Sequence, residues 1–528
     1  DHIQCPNGWG TMMRPTVNLD GSTLSPAEVE RIATNNADVK ISDDAWGKVE
    51  IARNVVDGIL ERGETVYGIN TGFGALVHQR ISPDDLAQLQ TNLIRSHATA
   101  LGDAMSRSSV RAMMAVRINS LVKGHSGVHP DVLKQLVDFL NNDIVPFVPR
   151  IGSLGASGDL APLSHMALAL LGEGMVLDAE NKPAPTLTVL REHGLIGIKL
   201  RAKDGLSLIN GTSQMLAFLT LAERKLNALL PLADLILCTS MEARKASVQP
   251  SDPRVHNARP HPGQNLVAQR IRALMGNSPI LHSHADCERV QDAYSFRCAP
   301  QVHGAVLQRY WSMADTLNIE LNSATDNPLI FPEPKNPGPH EVISQGNFHG
   351  EVIALAADSM AAALFELGSI SERRIDQMLD PARSELPPFL AKNSGLESGL
   401  MIVQYVAGAS LAELHGHATP RAAFSTSTSA GQEDHVSMGA TAAWNLLEAT
   451  QRLSEVLACE LFVACEALEF EPLSPSPYVA ALKQRVRTIA KPLDGDRSTS
   501  KELIDIAHEL AEGAWLARIE AELGRIPR

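Results

Sequence analysis

Ala- and Leu-rich stretches run through most of this chain, interrupted by short polar segments carrying Gly, Pro, Ser and Asn. Runs of strand-favouring residues are scarce, so the pattern predicts a mainly α protein. Ser25-Pro26-Ala27-Glu28 is a helix start with a Ser cap and Pro in the first turn, and helical sequence continues to about residue 62. Further helices are expected around 90–97, over 108–124 with an amphipathic pattern, from 213 to about 248, up to about 321, from 346 to 379 and over 396–416. Residues 440–528 are helical apart from a Pro/Ser connector near 473–478. The stretch 351–379 is apolar over more than one face, which suits a multi-helix core. Between the helices lie a Gly-punctuated loop at 67–74, a polar excursion with short strands at 175–202, a Pro/Gly connector at 254–264 and a second polar excursion through about 343.

This pattern divides the chain into a polar lead-in at 1–25, a smaller N-terminal region of mixed α/β character at 26–212, a long central helical bundle at 213–470 and C-terminal helices at 471–528. No window approaches the uninterrupted apolar length of a bilayer span, and the first residues lack the basic flank and apolar core of a signal peptide. A formal charge of −14 argues against a phosphate-backbone partner, which needs a basic face. Six cysteines scattered at positions 5, 238, 287, 298, 459 and 465 imply no disulfide framework. A soluble, cytoplasmic protein without nucleic-acid or membrane partners is expected.

One segment stands apart from the helical pattern. Gly152-Ser153-Leu154-Gly155-Ala156-Ser157-Gly158-Asp159-Leu160-Ala161-Pro162-Leu163 is a small-residue turn running into a helix, with Asp159 and Pro162 suited to its first turn. In Ala156-Ser157-Gly158 no bulky side chain flanks the serine. If the chain is squeezed there, the Gly158 nitrogen can attack the Ala156 carbonyl. Loss of two waters, one of them carrying the Ser157 hydroxyl, would leave a five-membered ring with an exposed methylidene, an electrophile built from the chain itself.

The run from Gly152 through Ser164-His165 resembles the signature of the aromatic amino acid ammonia-lyase and aminomutase family, whose electrophile is a methylidene-imidazolone (MIO). Further blocks match in family order between roughly residues 60 and 470. The resemblance implies a fumarase/aspartase-like helical bundle, an MIO formed from Ala156, Ser157 and Gly158 with no external cofactor and no metal, and a homotetramer whose active sites draw on more than one subunit. It implies residue roles as well. Tyr67, in Tyr67-Gly68-Ile69-Asn70-Thr71-Gly72-Phe73-Gly74, is a catalytic acid or base on a mobile loop, and Tyr294 is a second catalytic tyrosine. Asn210 faces the MIO and the substrate amine. Arg297, with Gln291 alongside, holds the substrate carboxylate through the paired donors that Arg offers and Lys does not. Asn347 and Phe348 lie near the electrophile. The cluster His282, His284, Asp286 and Cys287 invites a zinc site, but no second pair at structural-site spacing lies nearby, so a solvated loop is expected.

Subfamily features point toward histidine. Ser96-His97 is the substrate-sorting position, where histidine lyases and many tyrosine enzymes resemble Ser-His, so His97 implies a polar ring. Met401 and Glu413 match residues that line the imidazole pocket of histidine lyases, and Gly431-Gln432-Glu433-Asp434-His435-Val436-Ser437-Met438-Gly439 is closer to those enzymes than to tyrosine or phenylalanine lyases. Ala412-Glu413-Leu414-His415 and Ala98-Thr99-Ala100-Leu101-Gly102 depart from the histidine-lyase pattern. The reading is elimination of ammonia from L-histidine to trans-urocanate. A tyrosine ammonia-lyase or tyrosine 2,3-aminomutase stays open, as does a non-catalytic helical scaffold.

Overall fold

The computed structural model describes residues 14–72, 81–82, 85–285, 290–332 and 341–528, and helices dominate them. They form two compact units, each assembled from separated stretches: residues up to 220 with 317–352 and 424–441, and residues 221–316 with 353–423 and 442–528. The division drawn at 212/213 falls at a helix start and that at 470/471 at the end of the turn Leu468–Phe470, whereas packing collects pieces that are distant in sequence.

In the first unit, the lead-in carries a strand. Thr16–Leu19 pairs in parallel with Asp38–Ile41, burying Val17, Leu19, Val39 and Ile41. That second strand interrupts the helix expected over 26–62, which is two helices, Pro26–Ala33 and Asp43–Arg62. Ser25 caps the first through a reciprocal box with Glu28, Ser42 caps the second, and Gly63 ends it at φ +68°. The 175–202 excursion holds short antiparallel strands, Met175–Leu177 between Val145–Pro146 and Pro183–Pro185. The helix Arg107–Val122 departs from its expected amphipathic pattern, because every residue from Ser109 to Val122 is buried. Arg111 tolerates this by finding acceptors: it donates to the Ile32 carbonyl at 2.8 Å and to Asp143 at 2.9 Å.

The second unit is almost wholly helical. Residues from the helices Ser213–Ala243, Ala299–Glu320, Glu351–Leu379 and Gly439–Ala467 meet around one buried ion pair. Arg374 Nε and Nη2 donate to Glu460 Oε1 and Oε2 at 2.5 and 2.9 Å, and both side chains are fully buried. Ser240 and Ser371 donate to the same carboxylate at 2.7 and 2.5 Å. The 254–264 connector contains two helix starts, Pro253–Asn257 and Pro262–Leu274, each with Pro in its first turn. Cys238, Cys298, Cys459 and Cys465 are free thiols.

Two helices, Ser213–Ala243 and Glu351–Leu379, are long and apolar enough to cross a bilayer, contrary to the expectation that none would be. In the first, 83% of the most apolar window is buried within the protein, as is 50% of that in the second. Their apolar faces serve the core.

Arg374→Met leaves Glu460 charged and buried without its partner. It is expected to lower stability by about 3–5 kcal/mol, read as a drop in the guanidinium midpoint of the transition that reports this unit. The double variant Arg374→Met/Glu460→Met should recover much of the loss, and an unchanged midpoint in the single variant would contradict the pairing.

Candidate active site

The glycines of the 152–158 turn sit where a side chain has no room. Gly155 and Gly158 have φ of +63° and +75°. A Cβ on Gly155 would overlap Ser437 Oγ, and one on Gly158 would overlap the backbone of Gly211. The turn is held from two directions. Ser437 Oγ donates to the Gly155 carbonyl at 3.0 Å, Met438 N donates to the Leu154 carbonyl at 2.9 Å and Asp159 N to that of Gly211 at 2.7 Å. Ala156 is buried with Leu154, Val436 and Met438.

Asp159 precedes the helix Leu160–Leu170 but does not cap it. Its carboxylate reaches a different helix, accepting from Gln214 N at 2.7 Å and Met215 N at 3.1 Å, while Ser153 Oγ donates to its other oxygen at 2.7 Å. A carboxylate at the start of Ser213–Ala243 satisfies free N–H groups there. Burial outweighs these bonds and pushes the Asp159 pKa up to about 6.

Asn210 precedes Gly211, which pairs with Gly158 of the turn. Its Nδ2 donates to the Asn327 carbonyl at 3.2 Å, and its buried Oδ1 has no partner. Those features fit a ring made from Ala156-Ser157-Gly158 and an amine held on it: a side-chain-free backbone at positive φ at the closing nitrogen, and an orphaned amide oxygen on Asn210 to receive the amine's N–H.

Ser157 Oγ donates to Glu433 Oε1 at 3.0 Å, and Thr428 Oγ1 donates to Oε2 at 2.9 Å. The Glu433 carboxylate also acts on His97, which ends the helix Leu86–His97. Burial lowers the His97 pKa, the Glu433 charge opposing it in part, and Ser96 Oγ lies 2.9 Å from His97 Nδ1. Sequence reasoning singled out the 431–439 block but gave Glu433 no role; its signal was the carboxylate directly after Gln432. Glu413, chosen instead, is 69% exposed on the helix Met401–His417 and pairs with Arg452 at 3.5 Å. The carboxylate brought to Ser157 is Glu433.

Tyr67 is half-buried and lines a cavity of about 270 Å³ with Pro328, Glu341 and Ser344. The Asn70 side chain ties its loop by accepting from Val66 N at 2.9 Å and donating to the Glu64 carbonyl at 2.6 Å. Phe73 and Gly74 lie outside the described residues. Asn347 is exposed and bonds Gln345 and Ala324, and Phe348 is half-buried.

The remaining candidates belong to the second unit. Gln291 and Arg297 line a cavity of about 770 Å³ with Lys245, Arg272, His282 and Asp292. Tyr294 is 70% exposed, with the Arg297 guanidinium 4.7 Å from its ring centre. Met401 opens the helix Met401–His417 and is half-buried. Asp286 and Cys287 of the expected solvated loop lie outside the described residues. Among those described, His349, Glu351 and His435 bring ligand atoms within 4.8 Å of one another, a spacing that would admit a metal ion.

The match to known proteins is extensive. Residues 24–488 match the aromatic amino acid lyase family. The chain belongs to that family. This aromatic amino acid lyase is 42% identical over 511 residues to the histidine ammonia-lyase of Myxococcus xanthus (strain DK1622), covering 97% of this chain and 99% of that one. It resembles the crystal structure of histidine ammonia-lyase from Trypanosoma cruzi with a TM-score of 0.88 at 40% identity, covering 96% and 95% of the two chains. It also resembles the tyrosine aminomutase of Streptomyces globisporus with a TM-score of 0.90 at 35% identity, covering 96% and 98%. The lyase is thus a carbon–nitrogen lyase with a helical fold shared by ammonia-lyases and aminomutases.

The raised pKa of Asp159 has a pH consequence. A carboxyl that titrates near 6 when folded, against 3.8 as its ordinary value, contributes stability that is whole below 3.8 and lost as pH rises through 6. Asp159→Asn keeps an acceptor for Gln214 and Met215 and a donor for Ser153. Between about pH 4 and pH 8 the wild type should lose about 2 kcal/mol of unfolding free energy relative to the variant. Guanidinium melts at the two pH values test this, and a constant difference would refute it.

Proposed function

We propose that this lyase is a histidine ammonia-lyase, eliminating ammonia from L-histidine to give trans-urocanate. Near-full-length likeness to several histidine ammonia-lyases, from bacteria to Homo sapiens, supports the substrate. The observation that carries the chemistry is Glu433, whose carboxylate touches Ser157 and acts on His97. An imidazole side chain offers one N–H and one lone pair. Glu433 accepts from the first, and neutral His97 serves the second as donor from its own ring.

The MIO that Ala156, Ser157 and Gly158 would form supplies an electrophile that draws electron density from the substrate amine, so that ammonia becomes a competent leaving group. The chain's own residues do the rest. Arg297 holds the α-carboxylate with its paired donors, Gln291 beside it, and so fixes which β-hydrogen faces the base. Tyr67 removes that proton. A phenol near 10 needs a lowered pKa for this, from nearby positive charge or helix N-termini. The β C–H electron pair becomes the new C=C bond as the C–N bond breaks. Asn210 hydrogen-bonds the ring and the amine, Tyr294 takes part in proton transfer, and Asn347, Phe348 and Met401 border the reacting groups. The enzyme works as a homotetramer in the cytoplasm, its active sites drawn from more than one subunit.

The likeness to tyrosine aminomutases favours a second reading, since Ser96-His97 also suits a phenol. An ultraviolet assay against histidine, tyrosine and phenylalanine separates the two. A urocanate band with histidine alone is expected. A coumarate band with tyrosine, or a β-amino acid product, would replace the histidine reading with the second.

Ser157→Ala cannot form the methylidene. It is expected to retain the mass of both waters or lose only the first, and to lose activity on the order of a thousandfold or more. Glu433→Gln should keep the wild-type mass deficit while kcat/KM for histidine falls on the order of a hundredfold. Normal turnover in either variant would overturn its assigned role.

A further inference from the structure

Arg117, on the helix Arg107–Val122, is fully buried and takes no part in the steps above. Its Nη1 donates to the Asn210 carbonyl at 2.8 Å, while Nε and Nη2 have no partner. Buried guanidiniums ordinarily satisfy their donors with carboxylates or carbonyls. The carboxylates that act on this one, Asp326 and Asp159, are engaged elsewhere. Asp326 accepts from Lys203 at 2.6 Å, and Asp159 from Ser153, Gln214 and Met215. Burial lowers the Arg117 pKa to about 10, which leaves it cationic at neutral pH.

Three layers stack here. The guanidinium lies close against Gly211, where a Cβ would overlap its Nη1. Gly211 in turn lies against Gly158, where a Cβ would overlap the Gly211 backbone, and its carbonyl accepts from Asp159 N at 2.7 Å. A cation bare of counter-ion contact therefore sits one peptide layer from the nitrogen that must close the ring.

We propose that Arg117 is a positioning residue for formation of the electrophile: it presses the Asn210-Gly211 peptide against Gly158 and stabilises negative charge as the ring closes. This rests on the reading of Ala156-Ser157-Gly158 as self-cyclising. In that closure the Gly158 nitrogen pair forms a bond to the Ala156 carbonyl carbon, the carbonyl π pair moves to oxygen, and the Gly158 N–H proton follows it. The resulting hydroxyl leaves as water with the hydrogen of the Ser157 nitrogen, forming C=N. Ser157 then gives up its α-hydrogen and its hydroxyl as a second water, forming C=C. No oxidant or reductant is needed. Negative charge accumulates on the oxygen of buried Ala156, where a fixed cation acts through little water.

Full-length wild type, Arg117→Lys and Arg117→Gln, made by cell-free synthesis and chased over time, are compared by intact mass, circular dichroism and melting temperature. Wild type is expected to lose two waters. Arg117→Lys, which keeps the charge, should process within about threefold of that rate, and Arg117→Gln should slow on the order of tenfold or more while folding normally. Arg117→Met, which buries no orphan donor, takes the place of Arg117→Gln if the latter fails to fold. Equal slowing in the lysine and neutral variants, or none in the neutral one, would overturn the charge role while leaving the electrophile intact. A wild type that keeps both waters would instead sink the electrophile.

Discussion

Backbone meets backbone at Gly158 and Gly211, and neither residue can carry a side chain there. That contact brings the turn ahead of Leu160–Leu170 onto the segment that leads into Ser213–Ala243. Asp159 locks the arrangement from one side through the Gly211 carbonyl and the first N–H groups of the long helix. Ser437 and Met438 lock it from the other. A turn so constrained has lost its freedom to relax away from a bond between residues 156 and 158. Folding itself therefore removes conformational entropy that would oppose a bond between those residues.

Much of the surrounding polarity is buried rather than solvated. Lys203 pairs with Asp326 at 2.6 Å, both fully enclosed, and Ser126 donates to the same carboxylate at 2.6 Å. Arg53 reaches Asp204, whose pKa burial raises to about 6. Such groups contribute little net stability because desolvation offsets their attraction. Their value lies in geometry, since each has one arrangement that satisfies it. The 152–158 turn inherits that rigidity.

Glu433 and Glu413 show how environment divides two similar residues. Glu413 is exposed on this chain and pairs with Arg452 at 3.5 Å. Glu433 stands between Thr428 and Ser157, close enough to His97 to oppose the effect of burial on its pKa. A carboxylate and an imidazole converging beside Ser157 suit a substrate that is itself an imidazole.

The sequence by itself determined the helical class, the capped start at Ser25 and the family, because these rest on local patterns and on contiguous motifs. Residues 152–165 were legible for the same reason: their chemistry is written in adjacent residues. The strand Thr16–Leu19 was hidden because its partner, Asp38–Ile41, lies beyond a helix. The enclosure of Arg107–Val122 was hidden because burial on every side is supplied by other elements. The contact of Glu433 with Ser157 was hidden because it spans 276 positions of chain. The same holds for Arg117, an ordinary arginine in the sequence whose unanswered charge exists only where Gly211 and Gly158 are stacked upon it. Local spacing names residue types; only tertiary packing decides which of them lose water and meet.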